Sequence, residues 1–249
     1  MDNVKSVEIN SASAPGRSDP WYLEWLLMCS ALTVFLGYSG WATFQGKDYL
    51  FGPYRSPFYP FDFTVGGLSP ALFVFWMPVL FRLTCYYWRR TYYRTYFLDP
   101  AGCAVPELRK GYKGESSFPF ILQNLHRYFV YLAVILLCFH WKETVNSFFY
   151  QDTFGVGVGN ILLLLDSVFL TIYVFSCHAL RHLLGGKLKR FGCSHCSNVR
   201  YHAWNLSSIL NERHGLWAWI SLITIIVADL YVRLLSWGMI TDINTWKTF

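Results

Sequence analysis

Charge is what this sequence has least of. Asp, Glu, Lys and Arg supply only 14% of its 249 residues, against roughly 25% in soluble domains, so the chain cannot cover a soluble surface in the ordinary way. The opening residues have no apolar core, which argues against a cleavable signal peptide. There is no internal repeat and no inverted-repeat signature of a transporter. The run FGVGVGN, with Gly155, Gly157 and Gly159, follows no strand and is no nucleotide fingerprint. Small residues there predict close helix contact instead. The +6 net charge carries no sign of a nucleic-acid partner.

Long apolar runs are what the chain has instead. Hydrophobic residues make up 54% and aromatics 20%, and a membrane span needs about 20 mostly apolar residues. Five segments qualify: Trp21 to Phe44, Leu68 to about Tyr93 with bends at Pro70 and Pro78, Phe118 to Trp141, about Val156 to Leu184, and Gly215 to Ile240. The expected fold is therefore all-α, an integral membrane bundle of five transmembrane helices over 21–240. A polar, disordered tail is expected over 1–20 and a short tail over 241–249. Arg89, Arg90, Lys110, Lys187 and Arg213 fall on the side of the N-terminus, while Lys47, Arg55, Lys142 and Lys247 fall on the other. The positive-inside bias places the N-terminus inside and the C-terminus outside. The outer loop YLFGPYRSPFYPFDF reads as an aromatic belt in the headgroup zone.

Histidines within apolar sequence are the most informative polar groups. His126, His178, His182 and His214 lie in or beside three different spans, and counting from each connection puts them near one depth. His182 lies one turn nearer the inner surface than His178, on the same face. Imidazoles are costly in hydrocarbon unless they hold a metal, a proton relay or each other. Histidines from separate helices at one level are how bundles hold a redox centre. Metal or haem ligation by at least two of the four is the expectation. Cys177 adjoins His178, and Cys85 is a further candidate for this depth. His140 follows His126 by ~21 Å of helix, near the outer surface, where no other span has a histidine. That argues against an outer bis-histidine haem. Cys193-Ser-His-Cys196, in an inner loop, is a moderate metal signal equally compatible with free thiols. Asp229 and Arg233 are spaced to pair along one helix, Asp166 is placed to join them, and the expected role is structural.

The stretches LHRYFVY, SCHALRHLLGGKLKRF and LNERHGLWAWISLITIIVADLYVRLLSWGMITD resemble the membrane anchor of succinate dehydrogenases and fumarate reductases. The likeness is to the five-span, single-chain anchors of actinobacteria and covers roughly residues 68 to 240. It implies a multi-pass subunit of the bacterial inner membrane. Such a subunit holds a flavoprotein and an iron–sulfur subunit, carries no FAD itself, and passes electrons to quinone (menaquinone or ubiquinone). Common haem-binding relatives have a histidine where this chain has Phe175, and the two-haem pattern of four histidines at two depths is absent. Two inner cofactors remain open. One is a single haem b between His126 and His178 or His214. The other is a Rieske-type [2Fe–2S] cluster using Cys177, with Cys85, Cys193 or Cys196 as second thiol and two of the histidines, His182 included. Trp88, Arg89, Ser116, Ser117, Arg127 and Tyr128 are the quinone-site candidates, with Tyr128 as donor to a carbonyl and Arg127 stabilising charge or orienting water. His140, Trp141, Lys142 and Glu143 are candidates for an outer quinone site. A stand-alone membrane cytochrome or iron–sulfur carrier is the alternative, and a small transporter using Asp166, Asp229 and Arg233 the third.

Overall fold

The computed structural model describes residues 20–61, 68–98, 116, 118, 120–186 and 195–246. Among them run eight α-helices: α1 Trp21–Gln45, α2 Pro70–Thr84, α3 Tyr86–Tyr96, α4 His126–Asn146, α5 Val158–Phe175, α6 His178–Gly185, α7 His195–Asn211 and α8 His214–Ser236. Helices α1, α4, α5 and α8 are long and apolar enough to cross a membrane. Helices α2 and α3 qualify only together, as a sharply bent pair, which gives four spans, or the expected five where that pair counts as one broken span. Leu27, Phe44 and Ile223 stand exposed on these helices, as lipid-facing side chains should. α5 packs most extensively on α8, and α4 packs on both α2 and α5.

Two spans that the sequence presents as continuous are broken. The second does not bend at a proline. Pro70 sits in the first turn of α2, where its missing N–H costs nothing, and Pro78 lies within α2 without ending it. The chain turns at Cys85, and α3 leaves α2 at 82°. The fourth span ends at Phe175 and restarts as α6 after Cys177. Cys85 (φ −66°, ψ 130°) and Cys177 (φ −67°, ψ 131°) share one extended backbone conformation, and each is the N-cap of the helix that follows. Neither break has a glycine or proline to announce it. Instead, carbonyls freed by the breaks are met by side chains from elsewhere. Ser207 Oγ donates to Phe175 O at 2.8 Å and Asn211 Nδ2 to Ser176 O at 2.7 Å. Tyr92 Oη donates to Leu83 O at 3.1 Å, and Gln123 Nε2 to the same oxygen at 3.3 Å. A span can break inside a bilayer only where its backbone is satisfied in this way. α7, which the sequence hides among polar residues, supplies two of these donors.

The far end of the bundle is closed by a plug rather than an aromatic belt. Strands β1 (Leu50–Phe51) and β2 (Tyr54–Arg55) pair as a hairpin, and β3 (Phe149–Tyr150) pairs with β4 (Thr153–Phe154). Tyr54 and Tyr59 are fully buried. Tyr54 Oη donates to Asp242 at 2.6 Å and Tyr59 Oη to Ala42 O at 2.5 Å. Burial, with Asp242 beside it, pushes the Tyr54 phenol well above its ordinary pKa, so it remains a donor. Gly159 gives Tyr54 its seat, since a Cβ there would lie 2.6 Å from the ring; the glycines thus serve aromatic side chains, not helix pairing. Residues 242–246, expected as part of a short tail, pack back onto this end, with Trp246 buried beside Tyr54 and Leu235. The expected N-terminal tail lies outside the described residues but for Pro20.

Asp229 and Arg233 form the expected pair at 2.8 Å, both fully buried. Asp229 also accepts from Tyr38 and Ser56, and Arg233 donates to Lys47 O at 3.1 Å. Asp166 does not join them; it accepts from Thr224 at 3.1 Å and faces His140 at 3.9 Å. Removing one partner of a buried ion pair costs about 3–5 kcal/mol, because the other charge is stranded. Asp229→Leu is therefore expected to lower the thermal unfolding midpoint of the detergent-solubilised protein strongly. A midpoint within a degree or two of the parent would contradict the role given to this pair.

Candidate functional site: a buried thiol–imidazole cluster

The two broken spans converge on one place. His126 is the first residue of α4 and His214 the first of α8. His126 Nε2 lies 3.1 Å from Cys177 Sγ, and His214 Nε2 lies 3.4 Å from Cys85 Sγ. Both thiols are buried in the same core cluster, walled by Phe81, Trp88, Val130, Tyr173 and Ala218. Cys177 is within electrostatic range of Cys85, and His214 of His126. The aromatic walls fix the rings: His126 stacks on Phe81 at 4.8 Å and His214 on Tyr173 at 5.2 Å. Gly215 lets α8 come close to Tyr87 of α3, which a side chain at that position would block.

The hydrogen bonds choose the tautomers. Thr84 Oγ1 donates its one proton to Leu80 O at 2.7 Å, so at 3.0 Å from His126 Nδ1 it can only accept. Ser176 Oγ donates to Tyr173 O at 2.8 Å and likewise accepts from His214 Nδ1 at 2.7 Å. Both imidazoles therefore carry their proton on Nδ1 and turn a free Nε2 lone pair toward a thiol. A second partner on the far nitrogen is the arrangement that orients metal-ligating histidines. The halves mirror each other: a hydroxyl residue precedes each cysteine, holds one histidine, and lets that histidine reach the other cysteine. Each sulfur also stands at a helix N-terminus, where the dipole favours the negative charge of a metal-bound thiolate.

The other expected ligands lie elsewhere. The break after Phe175 turns His178 and His182 onto α6, where both are exposed and their Nε2 atoms face each other at 3.1 Å. The depth shared with His126 assumed an unbroken helix. Cys196 is exposed, and Cys193 lies outside the described residues. Among those residues no three or more His, Cys, Asp or Glu side chains converge as a single metal ion would require. Two cysteines and two histidines suit a two-iron centre, in which each iron takes only two protein ligands.

Beside this cluster is an apolar cavity of about 810 Å³, lined by residues of α1 to α5 among others, including Phe81, Arg82, Trp88, Tyr92, Tyr173 and His140. Among the described residues Trp88 is the one member of the expected quinone set that lines it. Arg89 is buried and lies over the Tyr86 ring at 4.5 Å. Arg127 lies over Tyr128 at 5.2 Å, both side chains exposed. Ser116 is exposed, and Ser117 lies outside the described residues. Gln123 enters the cavity wall unforeseen, its Nε2 donating to Tyr92 Oη at 3.0 Å and its Oε1 unpartnered among the described residues. Arg82 was equally unforeseen, although a charge inside a span is itself a signal of function.

Apolar spans around a sequestered set of two cysteines and two histidines define a multi-pass membrane protein with a polar group buried in its interior. The chain belongs to the actinobacterial succinate dehydrogenase subunit SdhC family, whose model matches residues 23–238. It is also similar, at 35% identity and TM-score 0.84, to a chain of the Mycobacterium smegmatis Sdh1 complex in the apo form. That match covers 96% of this chain and 97% of the other. No curated protein sequence matches it. This is a membrane subunit of succinate dehydrogenase, multi-pass in the bacterial inner membrane, and not the succinate-oxidising subunit.

The mirrored hydroxyls yield a test. Ser176→Ala removes the acceptor of the His214 Nδ1 proton and leaves the ligand atoms in place. Loss of such an orienting partner typically costs about 10–100-fold in metal affinity. Chelator competition on the purified complex is expected to strip metal from this variant at correspondingly lower chelator concentration than from the parent.

Proposed function

We propose that this chain anchors the iron–sulfur and flavoprotein subunits of succinate dehydrogenase and passes electrons from the former to membrane quinone. The carrier is a Rieske-type [2Fe–2S] cluster at Cys85, Cys177, His126 and His214. The observation that carries the reading is the donor set: two thiols and two imidazoles, brought together by paired helix breaks, with both imidazoles locked in the ligating tautomer. Such a centre moves one electron at a potential above that of all-cysteine plant-type clusters. A haem b fits the site poorly. A macrocycle needs a slot between two facing Nε2 atoms, and here each Nε2 abuts a thiol within packed core. FAD and the further iron–sulfur clusters belong to the partner subunits. The lysine and arginine bias supports placing the cluster end, and the partners, at the inner face.

Quinone occupies the apolar cavity in this reading. Its volume lies in the range of small-molecule sites, and it adjoins the cluster through Trp88, Phe81 and Tyr173. Two buried atoms without partners among the described residues give the wall its chemistry. Trp88 Nε1 is a donor suited to a quinone carbonyl, and Gln123 Oε1 is an acceptor suited to a quinol hydroxyl. Menaquinone and ubiquinone both meet these demands. His140 lines the same cavity, which makes an outer site part of one chamber.

Cys85→Ser and Cys177→Ser, each in the intact complex, are expected to abolish a mixed-ligand [2Fe–2S] electron paramagnetic signal. They should also cut succinate:quinone reduction by more than the ~10–100-fold of outer-shell changes. Succinate oxidation with a soluble dye should persist, and Cys196→Ser should change nothing. A haem α band in the reduced complex, or the signal surviving both substitutions, would sink the cluster. For the cavity, Gln123→Leu removes the hydrogen bond to quinone, about 1 kcal/mol, along with those to Tyr92 and Leu83 O; Tyr92 still meets Leu83 O, so the quinone KM is expected to rise severalfold with the cluster signal intact.

A further inference from the structure

One buried donor beside the cluster site has no task. Tyr173 is 1% exposed, and its hydroxyl has no hydrogen-bond partner among the described residues. Its ring stacks on His214 at an 18° tilt, and that imidazole is the one facing Cys85. Tyr173 and Cys85 share one core cluster, and the phenol neighbours the thiol electrostatically without hydrogen-bonding it. An orphaned phenol at this depth is costly.

Arg82 is a second anomaly. Its guanidinium carbon lies 4.5 Å over the Tyr173 ring and 5.7 Å over that of Trp88. It donates to Ala218 O at 3.3 Å and Ser221 Oγ at 3.1 Å. Among the described residues no carboxylate touches it, the buried Asp166 acting on it only at longer range, and a cation in a span calls for a nearer counter-charge.

We propose that Tyr173 and Arg82 set the reduction potential of the metal centre held at Cys85. With the cluster in place the Tyr173 hydroxyl would donate to the Cys85 sulfur, while Arg82 clamps the ring and supplies positive charge. The inference rests on the cluster reading above. A charge count gives its sign. Two ferric ions, two sulfides, two thiolates and two neutral imidazoles sum to zero. The electron that arrives from the partner's cluster leaves a net negative charge, and the electron then departs to quinone with no bond made or broken in the protein. A donor on sulfur and a fixed cation both stabilise the reduced form, so both raise the potential.

Tyr173→Phe keeps the stacked ring and removes only the hydroxyl. In a redox titration of the intact complex, followed by its mixed-ligand signal, the midpoint is expected to fall. At fixed ambient potential the oxidised-to-reduced ratio should rise about tenfold, ~59 mV for one electron, with iron content unchanged. Arg82→Lys keeps the charge and loses the planar stack, and should move the midpoint the same way by less. An unmoved midpoint in Tyr173→Phe overturns the proposal, as does a changed quinone KM without a midpoint shift, which would assign the hydroxyl to quinone. Loss of iron from that variant also overturns it. A wild-type complex lacking the mixed-ligand signal would bring down the cluster reading, and this inference with it.

Discussion

A polar atom inside a bilayer must find its partner within the protein, and this bundle answers that constraint by breaking two helices at cysteines. Each break turns a thiol inward and frees backbone carbonyls that other elements must meet. Ser207 and Asn211 of α7 do so below α5, and Tyr92 and Gln123 below α2. The site is therefore inseparable from the short helices α3, α6 and α7. They cap the interrupted spans and hold open the geometry in which His126 and His214 reach across to the opposite cysteine.

The two ends of the molecule solve the same problem differently. At the far end Asp229 takes Arg233, Tyr38 and Ser56, and Tyr54 and Tyr59 close the opening. Every strong acceptor there has a donor, which is the signature of structure. At the broken end, among the described residues, Trp88 Nε1, Tyr173 Oη and Gln123 Oε1 are buried without partners. Other buried atoms share that state, Ser39 Oγ among them, but these three residues all line one cavity beside the donor set.

The number of spans was legible because apolar length is a one-dimensional property. That His126, His214 and Cys177 meet at one end of the bundle was legible for a similar reason: each lies near the end of an apolar run. Depth counting failed for His178 and His182 because it assumes an unbroken 1.5 Å rise per residue, and nothing local marks the break before them. No proline or glycine stands at Cys85 or Cys177, since tertiary hydrogen bonds, not backbone propensity, stabilise those turns. A trace did exist: Thr84-Cys85 and Ser176-Cys177 repeat a hydroxyl–thiol pair near the ends of two apolar runs. The proline-rich loop misled because its aromatics suit a membrane interface and a plug equally well.

Helix α8 ties the two ends together. It runs unbroken from His214 at the site to Asp229 and Arg233 at the far end, and fifteen residues of helix span about 22 Å. A slip of one residue along it would swing His214 by ~100°, off Tyr173, Ser176 and Cys85 at once. The ion pair at the far end blocks that slip, because it would tear Asp229 from Ser56 and Tyr38. A buried pair of this kind contributes little net stability compared with an apolar replacement, so its retention is better explained by register. On that argument the distant charges exist to aim an imidazole.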